Sequence, residues 1–324
     1  MAVHIFLVDE KNYHICLERG IVALPETKRE NQSFDALLSR LASIKEDDYI
    51  MLYIIEPVKE LHGVWKADGL PFFDEEPIWK DRVYPFRCRI KPSEFSFRNP
   101  LKLNDISDLC NTGALWTWAP KRPGGVYSNS MFSMTDNEFH ILIDEFIKIN
   151  PFSTETWRIN RPYPFHENNI ISHIHFKDNG KLAYESSLMT QLILAFNNKQ
   201  YREIFGNYDS FLSYIPTSLG TEMDFLLMYN RPASNTVLSY DIIEVKRDKF
   251  TKDGLRQLIE YESWFLQKKV AGDQKMLRVS AIAESFADDV IDYVEKRTQI
   301  EGKRIKLLQY SVSSPLFIKL SEVN

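Results

Sequence analysis

Three charged residues fall in or beside apolar runs: Asp224, which closes "GTEMD" and opens the run that follows, and Glu244 with Lys246 among the apolar Ile242, Ile243 and Val245 of "DIIEVKRD". Side chains alternate across a strand, so Glu244 and Lys246 project from one face and Val245 from the other. Burying ions is costly unless they are paired or hold a metal. Carboxylates are hard oxygen ligands for divalent cations, and a neighbouring lysine can handle a water or a phosphate oxygen. Asp224 lies on the preceding apolar run, after a turn marked by Gly220, at a separation that suits two adjacent strands. Asp224, Glu244 and the Val245 carbonyl together make a Mg²⁺ site of the kind phosphodiester hydrolysis needs. Glu222 shares the Asp224 face and reads as a solvated or paired carboxylate. Arg247, Lys249, Lys252 and Arg256 follow the lysine as a basic cluster placed for phosphate contact.

The elements that must position these groups are legible from periodicity. "AYESSLMTQLILAFNN" predicts a helix, "EMDFLLMYN" and "SYDIIEVKRD" strands, and "TKDGLRQLIEYESWFLQKKV" a second helix. "MLRVSAIAES" is a strand, "FADDVIDYVEKRTQ" a helix, and "RIKLLQYSV" and "LFIKLSE" are strands. An αβββαβ mixed-sheet core results. In the first half, "VHIFLVD", "DYIMLYII" and "YPFRCRI" predict strands, and "SFDALLSRLASI" a helix capped by Ser33 with Leu37, Leu38 and Leu41 on one face. Thr135 and Glu138 have capping-box spacing ahead of a helical face of Phe139, Ile143 and Phe146. These elements fit a small barrel-like sheet with flanking helices. The Pro-rich stretch "INPFSTETWRINRPYPFHENN" is the best linker, which divides the chain into residues 1–155 and 156–324.

With 324 residues, 44% of them apolar, there is material for two cores. No run is long and apolar enough to span a membrane and the N-terminus breaks into charge early, so a cytoplasmic location is expected. Cys16, Cys88 and Cys110 are too few and too scattered for a disulfide framework or a zinc site, and read as buried thiols. His173 and His175 alternate as on a strand and read as structural. The net charge is −5, and residues 1–150 carry 18 basic against 23 acidic side chains, so the excess is entirely theirs. A nucleic-acid partner must then be met by local basic patches. Neither GxxxxGK[ST] nor GxGxxG occurs, and no nucleotide cofactor is expected.

The second half resembles the PD-(D/E)XK nuclease superfamily, which includes restriction endonucleases and RecB-like and NucS-like nucleases. Asp224 matches the motif Asp, with Met223 in place of its Pro, and Glu244 and Lys246 match the ExK. Glu185 in "YESSL" matches the helical Glu ahead of the sheet, and Gln257 with Tyr261 matches the QxxxY of the RecB-like branch. The resemblance implies catalytic roles for Asp224, Glu244, Lys246, Glu185, Gln257 and Tyr261, and Mg²⁺ as cofactor with Mn²⁺ able to substitute.

The first half resembles, diffusely, the EVE, YTH and PUA-like small barrels, which implies an aromatic-lined pocket for a modified or flipped base. Four of the six tryptophans lie here. Trp65, Trp116 and Trp118 are candidate base contacts, the last two beside Lys121 and Arg122 in a loop-like stretch. Trp79 reads as core, and Asn12, near the end of the first strand, could hydrogen-bond a base edge. The expected protein is a Mg²⁺-dependent endonuclease on double-stranded DNA. A restriction endonuclease of type II character, sequence-specific or modified-base-dependent and working as a homodimer, suits it best. A NucS-like repair or mismatch endonuclease and a non-catalytic modified-nucleic-acid-binding protein are the alternatives.

Overall fold

The apolar runs of the first half become one eight-stranded sheet, and those of the second half a six-stranded one. The computed structural model describes residues 2–26, 32–118, 130–152, 157–234, 236–314 and 317–323. By contacts the chain divides into two units: Met1–His173 with Pro216–Thr221, and Ile174–Ile215 with Glu222–Asn324.

In the first unit the elements run β1 (Val3–Val8), α1 (Glu10–Arg19), β2 (Ile21–Leu24), α2 (Gln32–Ala42), β3 (Tyr49–Ile54), β4 (Glu60–Ala67) and β5 (Phe72–Phe73). They continue with β6 (Phe86–Pro92), β7 (Leu101–Lys102), α3 (Leu103–Asn111), β8 (Met131–Met134) and α4 (Asp136–Ile149). The sheet order is β2-β6-β4-β3-β1-β8, with β5 on β6 and β7 on β4. Only β1 and β3 of these pairs run parallel, from Val3 opposite Tyr49 to Val8 opposite Ile54. Alternation sends Val3, Ile5, Tyr49, Met51 and Tyr53 to one face, where they pack with Phe139, Ile143 and Phe146 of α4. Thr135 caps α4 as its spacing predicts, Thr135 Oγ1 accepting from Glu138 N. Helix α2 buries Leu37, Leu38 and Leu41 and sets Phe34 edge-on to Phe86 at 4.9 Å. It opens at Gln32, so Ser33 stands inside the first turn and not at the cap.

The boundary expected between residues 155 and 156, within the Pro-rich linker stretch, lies outside the described residues. The Pro-rich segment beyond it is held by the first unit: Arg161 N donates to Glu18 O at 3.0 Å, Tyr163 N to Arg19 O at 2.8 Å, and Asn169 pairs twice with the Phe73 backbone. His173 ends a short 3₁₀ turn against Phe73, not a strand.

In the second unit the order is α5 (Glu185–Asn197), α6 (Arg202–Phe205), β9 (Ser210–Pro216), β10 (Glu222–Asn230), β11 (Val237–Phe250) and α7 (Lys252–Lys268). Then follow β12 (Leu277–Phe286), α8 (Asp288–Glu301), β13 (Ile305–Ser314) and β14 (Phe317–Glu322). Strands lie in the order β14-β13-β12-β11-β10-β9. β11, β12 and β13 are parallel, joined through α7 and α8, while β10 and β14 run antiparallel to their neighbours. The interior positions Ile242 to Val245 of β11 are all buried, which is why this strand reads as a continuous apolar run. β9, not anticipated from the sequence, supplies the first strand of the αβββαβ series. No helix among the described residues is long and apolar enough to cross a membrane. The three cysteines stand outside any disulfide; Cys16 and Cys88 are buried as expected, with burial pushing Cys16 up to about 12, but Cys110 is only half-buried.

Candidate active site

Phe225 pairs with Ile243 and Leu226 with Ile242, so one further step of the same antiparallel register brings Asp224 opposite Glu244. The turn ahead of β10 needs a left-handed residue, and Gly220 supplies it with φ +82°. Asp224 Oδ2 accepts from Val245 N at 2.7 Å, which fixes the carboxylate beside the strand that carries Glu244. Lys246 Nζ donates to Glu244 Oε1 at 2.7 Å and lies 3.6 Å from Glu185 Oε1, the first residue of α5. Across the parallel ladder Glu244 faces Ala281 and Lys246 faces Ala283, two small, buried side chains that crowd the charged pair less than larger ones would. That alternation of alanines in "AIAES" is a sequence signal of the site that charge patterning alone passes over.

The electrostatics follow from burial. Glu244 is 1% exposed, and its desolvation, with Glu185 adding to it and Lys246 opposing, pushes its carboxyl up to about 7. Asp224 is held well above the ordinary carboxylate range by burial and then by the Glu244 charge, with Lys246 and the Val245 N–H opposing. Burial disfavours the Lys246 ammonium, but Glu244, Asp224 and Glu185 outweigh that and raise it, so Lys246 stays charged. The second Glu244 oxygen, Oε2, is buried with no hydrogen-bond partner among the described residues. A buried carboxylate oxygen without a donor is a costly state that a cation would relieve.

Among the described residues no group of three or more His, Cys, Asp or Glu side chains is arranged to hold a metal ion by itself. Two carboxylates and a backbone carbonyl nevertheless fit Mg²⁺, which is held in many sites by one or two carboxylates, with water and substrate phosphates completing its shell. The orphaned Glu244 oxygen is the feature of this structure that favours such an ion.

Gln257 and Tyr261 meet as their spacing predicts: Gln257 Nε2 donates to the Tyr261 hydroxyl at 2.7 Å, and that hydroxyl donates to the Glu222 carbonyl at 2.7 Å. Tyr261 is buried, so the pair grips the start of β10 two residues before Asp224. Tyr261→Phe removes both hydrogen bonds of the hydroxyl, to Gln257 and to the Glu222 carbonyl, and is expected to lower the unfolding free energy by about 1–2 kcal/mol; urea denaturation checks it. Glu222 itself is half-buried. Of the basic cluster, Lys249, Lys252 and Arg256 are exposed, the last paired with Asp253 at 3.6 Å. Arg247 is half-buried, and its guanidinium is engaged by the protein at Ala183 and Asp248.

In the first unit the structure redistributes the expected contacts. Trp118 is a core residue, edge-on to Tyr53 and Phe132 at 5.4 Å each, and Trp65 is buried edge-on to Trp157 at 5.7 Å. Trp116 is half-buried. Lys121 and Arg122 lie outside the described residues. Asn12 stands in the first turn of α1, not at a strand end, and lines a cavity of about 140 Å³ with Asp9, Cys16, Trp79, Arg82 and Tyr84. The Asn12 amide spends its hydrogens on Asp9 Oδ2 and the Tyr84 hydroxyl, both at 2.8 Å, which leaves Oδ1 as its acceptor. Trp79, read as core from the sequence, is the tryptophan at this cavity. A larger cavity of about 270 Å³, lined by Val294, Thr298, Arg304 and Leu307, holds none of the clustered carboxylates.

No family model matches the chain, and no curated protein matches it. Among solved structures, EndoMS in complex with dsDNA is 20% identical, with a TM-score of 0.29 over 41% of this chain and 49% of that one, so the chain spans about half of its length. The Mmi1 YTH domain is 15% identical, TM-score 0.31, over 46% of this chain and 76% of that one. Rpa0253 from Rhodopseudomonas palustris is 10% identical, TM-score 0.31, over 48% of this chain and all of that one. At TM-scores this low the likeness specifies neither fold nor activity, which leaves the chain's own geometry to carry both.

Proposed function

We propose that the chain is a Mg²⁺-dependent DNA endonuclease, most naturally a restriction endonuclease, whose second unit cuts the backbone and whose first unit selects the target. The observation that carries this reading is the juxtaposition of the half-buried Asp224 and Lys246 with the buried Glu244, one of whose oxygens lacks a partner among the described residues. Asp224, Glu244 and the Val245 carbonyl would hold the ion. When bound, Mg²⁺ supplies charge neutralisation at the scissile phosphate and lowers the pKa of water. Val245 N fixes Asp224, and Glu185 gives Lys246 a second anionic partner so that its ammonium can turn from Glu244 toward an attacking water or a phosphate oxygen. Lys246 therefore orients the reacting oxygens while remaining charged.

Target selection is assigned to the cavity at Asn12, Trp79 and Tyr84. An extruded base regains stacking from an aromatic wall and edge hydrogen bonds from a fixed amide. One such site hydrolyses one strand, so cutting both strands of a duplex calls for a homodimer.

The test is cleavage of a plasmid panel, unmodified, C5-methylated and N6-methylated, with Mg²⁺ or Mn²⁺, comparing wild type with Glu244→Ala. Discrete fragments that vanish in the variant are expected, and the panel member cut tells whether sequence or modification is read. Binding without cutting on every substrate and with either metal would instead favour a non-catalytic nucleic-acid-binding protein.

A further inference from the structure

Arg247 follows the motif lysine directly and, as a cation on a nuclease strand, invites assignment as a phosphate contact. Its side chain is spent otherwise. Nη1 donates to the Ala183 carbonyl, Nε lies 3.1 Å from each Asp248 carboxylate oxygen, and Nη2 pairs with the same carboxylate. The Arg247 carbonyl accepts from the Tyr310 hydroxyl at 2.5 Å, which anchors the residue to β13. The ladder to β12 is irregular between Lys246 and Lys249, where the strand turns this side chain toward the start of α5.

Ala183 is two residues ahead of Glu185, and Glu185 opens α5 with its carboxylate 3.6 Å from Lys246 Nζ. At the N-cap position the Tyr184 N–H donates to Ser187 Oγ at 3.2 Å, and Arg247 holds the residue before it, so the entry to the helix is tied both to its own first turn and to β11. A planar guanidinium with five donors can bridge a carbonyl and a carboxylate at once, which a lysine cannot do with the same geometry.

We propose that Arg247 is a positioning residue: through Ala183 it sets Glu185 against Lys246, and so aims the ammonium at the site. The proposal rests on the nuclease reading for its functional consequence, though the clamp itself does not. Charge at residue 247 matters here only through the fork it forms.

Two variants test it in the full chain, Arg247→Met, which keeps the stem, and Arg247→Lys, which keeps the charge. In single-turnover cleavage of the DNA cut by wild type, both are expected to lose about 10- to 100-fold in rate constant. The half-saturating concentration and the salt dependence of binding stay as in wild type. Adding Glu185→Gln to either variant costs nothing further, because both changes break one arrangement. Hydrogen exchange at the first turn of α5, from Glu185 to Leu188, speeds up in both variants while the amides of β12 keep their protection.

A phosphate contact would show the reverse: weaker binding with a salt slope reduced by about 1, and Arg247→Lys close to wild type. That result, or losses that multiply with Glu185→Gln, or unchanged exchange in α5, overturns the proposal. Asp224→Asn and Glu244→Gln are run alongside. If they cut as well as wild type, the nuclease reading fails while the exchange measurement still decides the clamp.

Discussion

At pH 8, Glu244→Gln is expected to raise the unfolding free energy of the second unit by about 3 kcal/mol and to cut cleavage by about 10³-fold. The two effects have one cause. Burial pushes the Glu244 carboxyl from 4.5 up to about 7, so the folded state binds a proton more tightly than the unfolded chain does. Between those pH values the native state carries more protons, and stability falls as pH rises through that window. Below pH 4.5 both states are protonated and the charge costs nothing; above 7 the whole penalty is present. Glutamine is isosteric with the protonated acid, keeps an oxygen for Lys246 and never pays it. The stability gap between variant and wild type should therefore open from nothing near pH 4.5 to its full value near pH 8. Asp224, raised by burial and by Glu244, acts with the same sign. Lys246 is raised too, but its contribution is lost only above its unfolded value of 10.5, outside the window. Mg²⁺ should stabilise the wild type by mass action and leave the variant's melting temperature nearly unmoved. Urea titrations at pH 4.5 and 8, each with and without Mg²⁺, decide this. A variant less stable than wild type at pH 8 would sink the account of a strained, ion-seeking carboxylate.

How much of this was legible beforehand depends on the range of the interaction. β10 and β11 were readable because each is an apolar run with alternating charge, and their adjacency follows from a short turn-rich connection. With register set by the buried face, Asp224 had to arrive near Glu244. Helix α1 was not foreseen: it buries only Asn12 and Cys16, too weak a face for periodicity. Its signals were the ends, Asp9 accepting from Asn12 N and Gly20 in the left-handed conformation. The tryptophans show a harder limit. Composition says that aromatics are present, but whether Trp118 packs on Tyr53 or Trp79 walls a cavity is settled by tertiary contacts with residues far away in the chain. Arg247 is the same case in polar form, since nothing local says that a guanidinium will meet the Ala183 carbonyl.

Glu138 carries the second large effect, and its capping role accounts for only part of it. The spacing from Thr135 predicts a reciprocal cap, and the carboxylate does accept from Thr135 N at 3.1 Å and Thr135 Oγ1 at 2.7 Å. It also accepts from Trp116 N at 2.6 Å, Thr117 N at 2.7 Å and Thr117 Oγ1 at 2.9 Å. Five donors thus converge on one side chain with no exposed surface, and they tie the stretch that leads into Trp118 to the first turn of α4. The site at the helix N-terminus favours the negative charge as well. Removing the acceptor leaves several shielded N–H and O–H groups unpaired, each at a cost of about 1–3 kcal/mol if water cannot reach it. Glu138→Ala is therefore expected to lower the stability of the first unit by roughly 4 kcal/mol, in the range that broken buried networks reach and surface substitutions do not. Glu138→Gln should recover part of the loss, since its amide still presents one acceptor but turns a donor toward other donors. Asp136→Asn, in the same helical turn but at the surface, should change stability by no more than about 0.5 kcal/mol. Chemical denaturation of the three variants, followed by tryptophan fluorescence, makes the comparison. Equal losses for Glu138→Ala and Asp136→Asn would mean that the carboxylate acts only on the helix dipole and that the Trp116–Thr117 anchor contributes nothing.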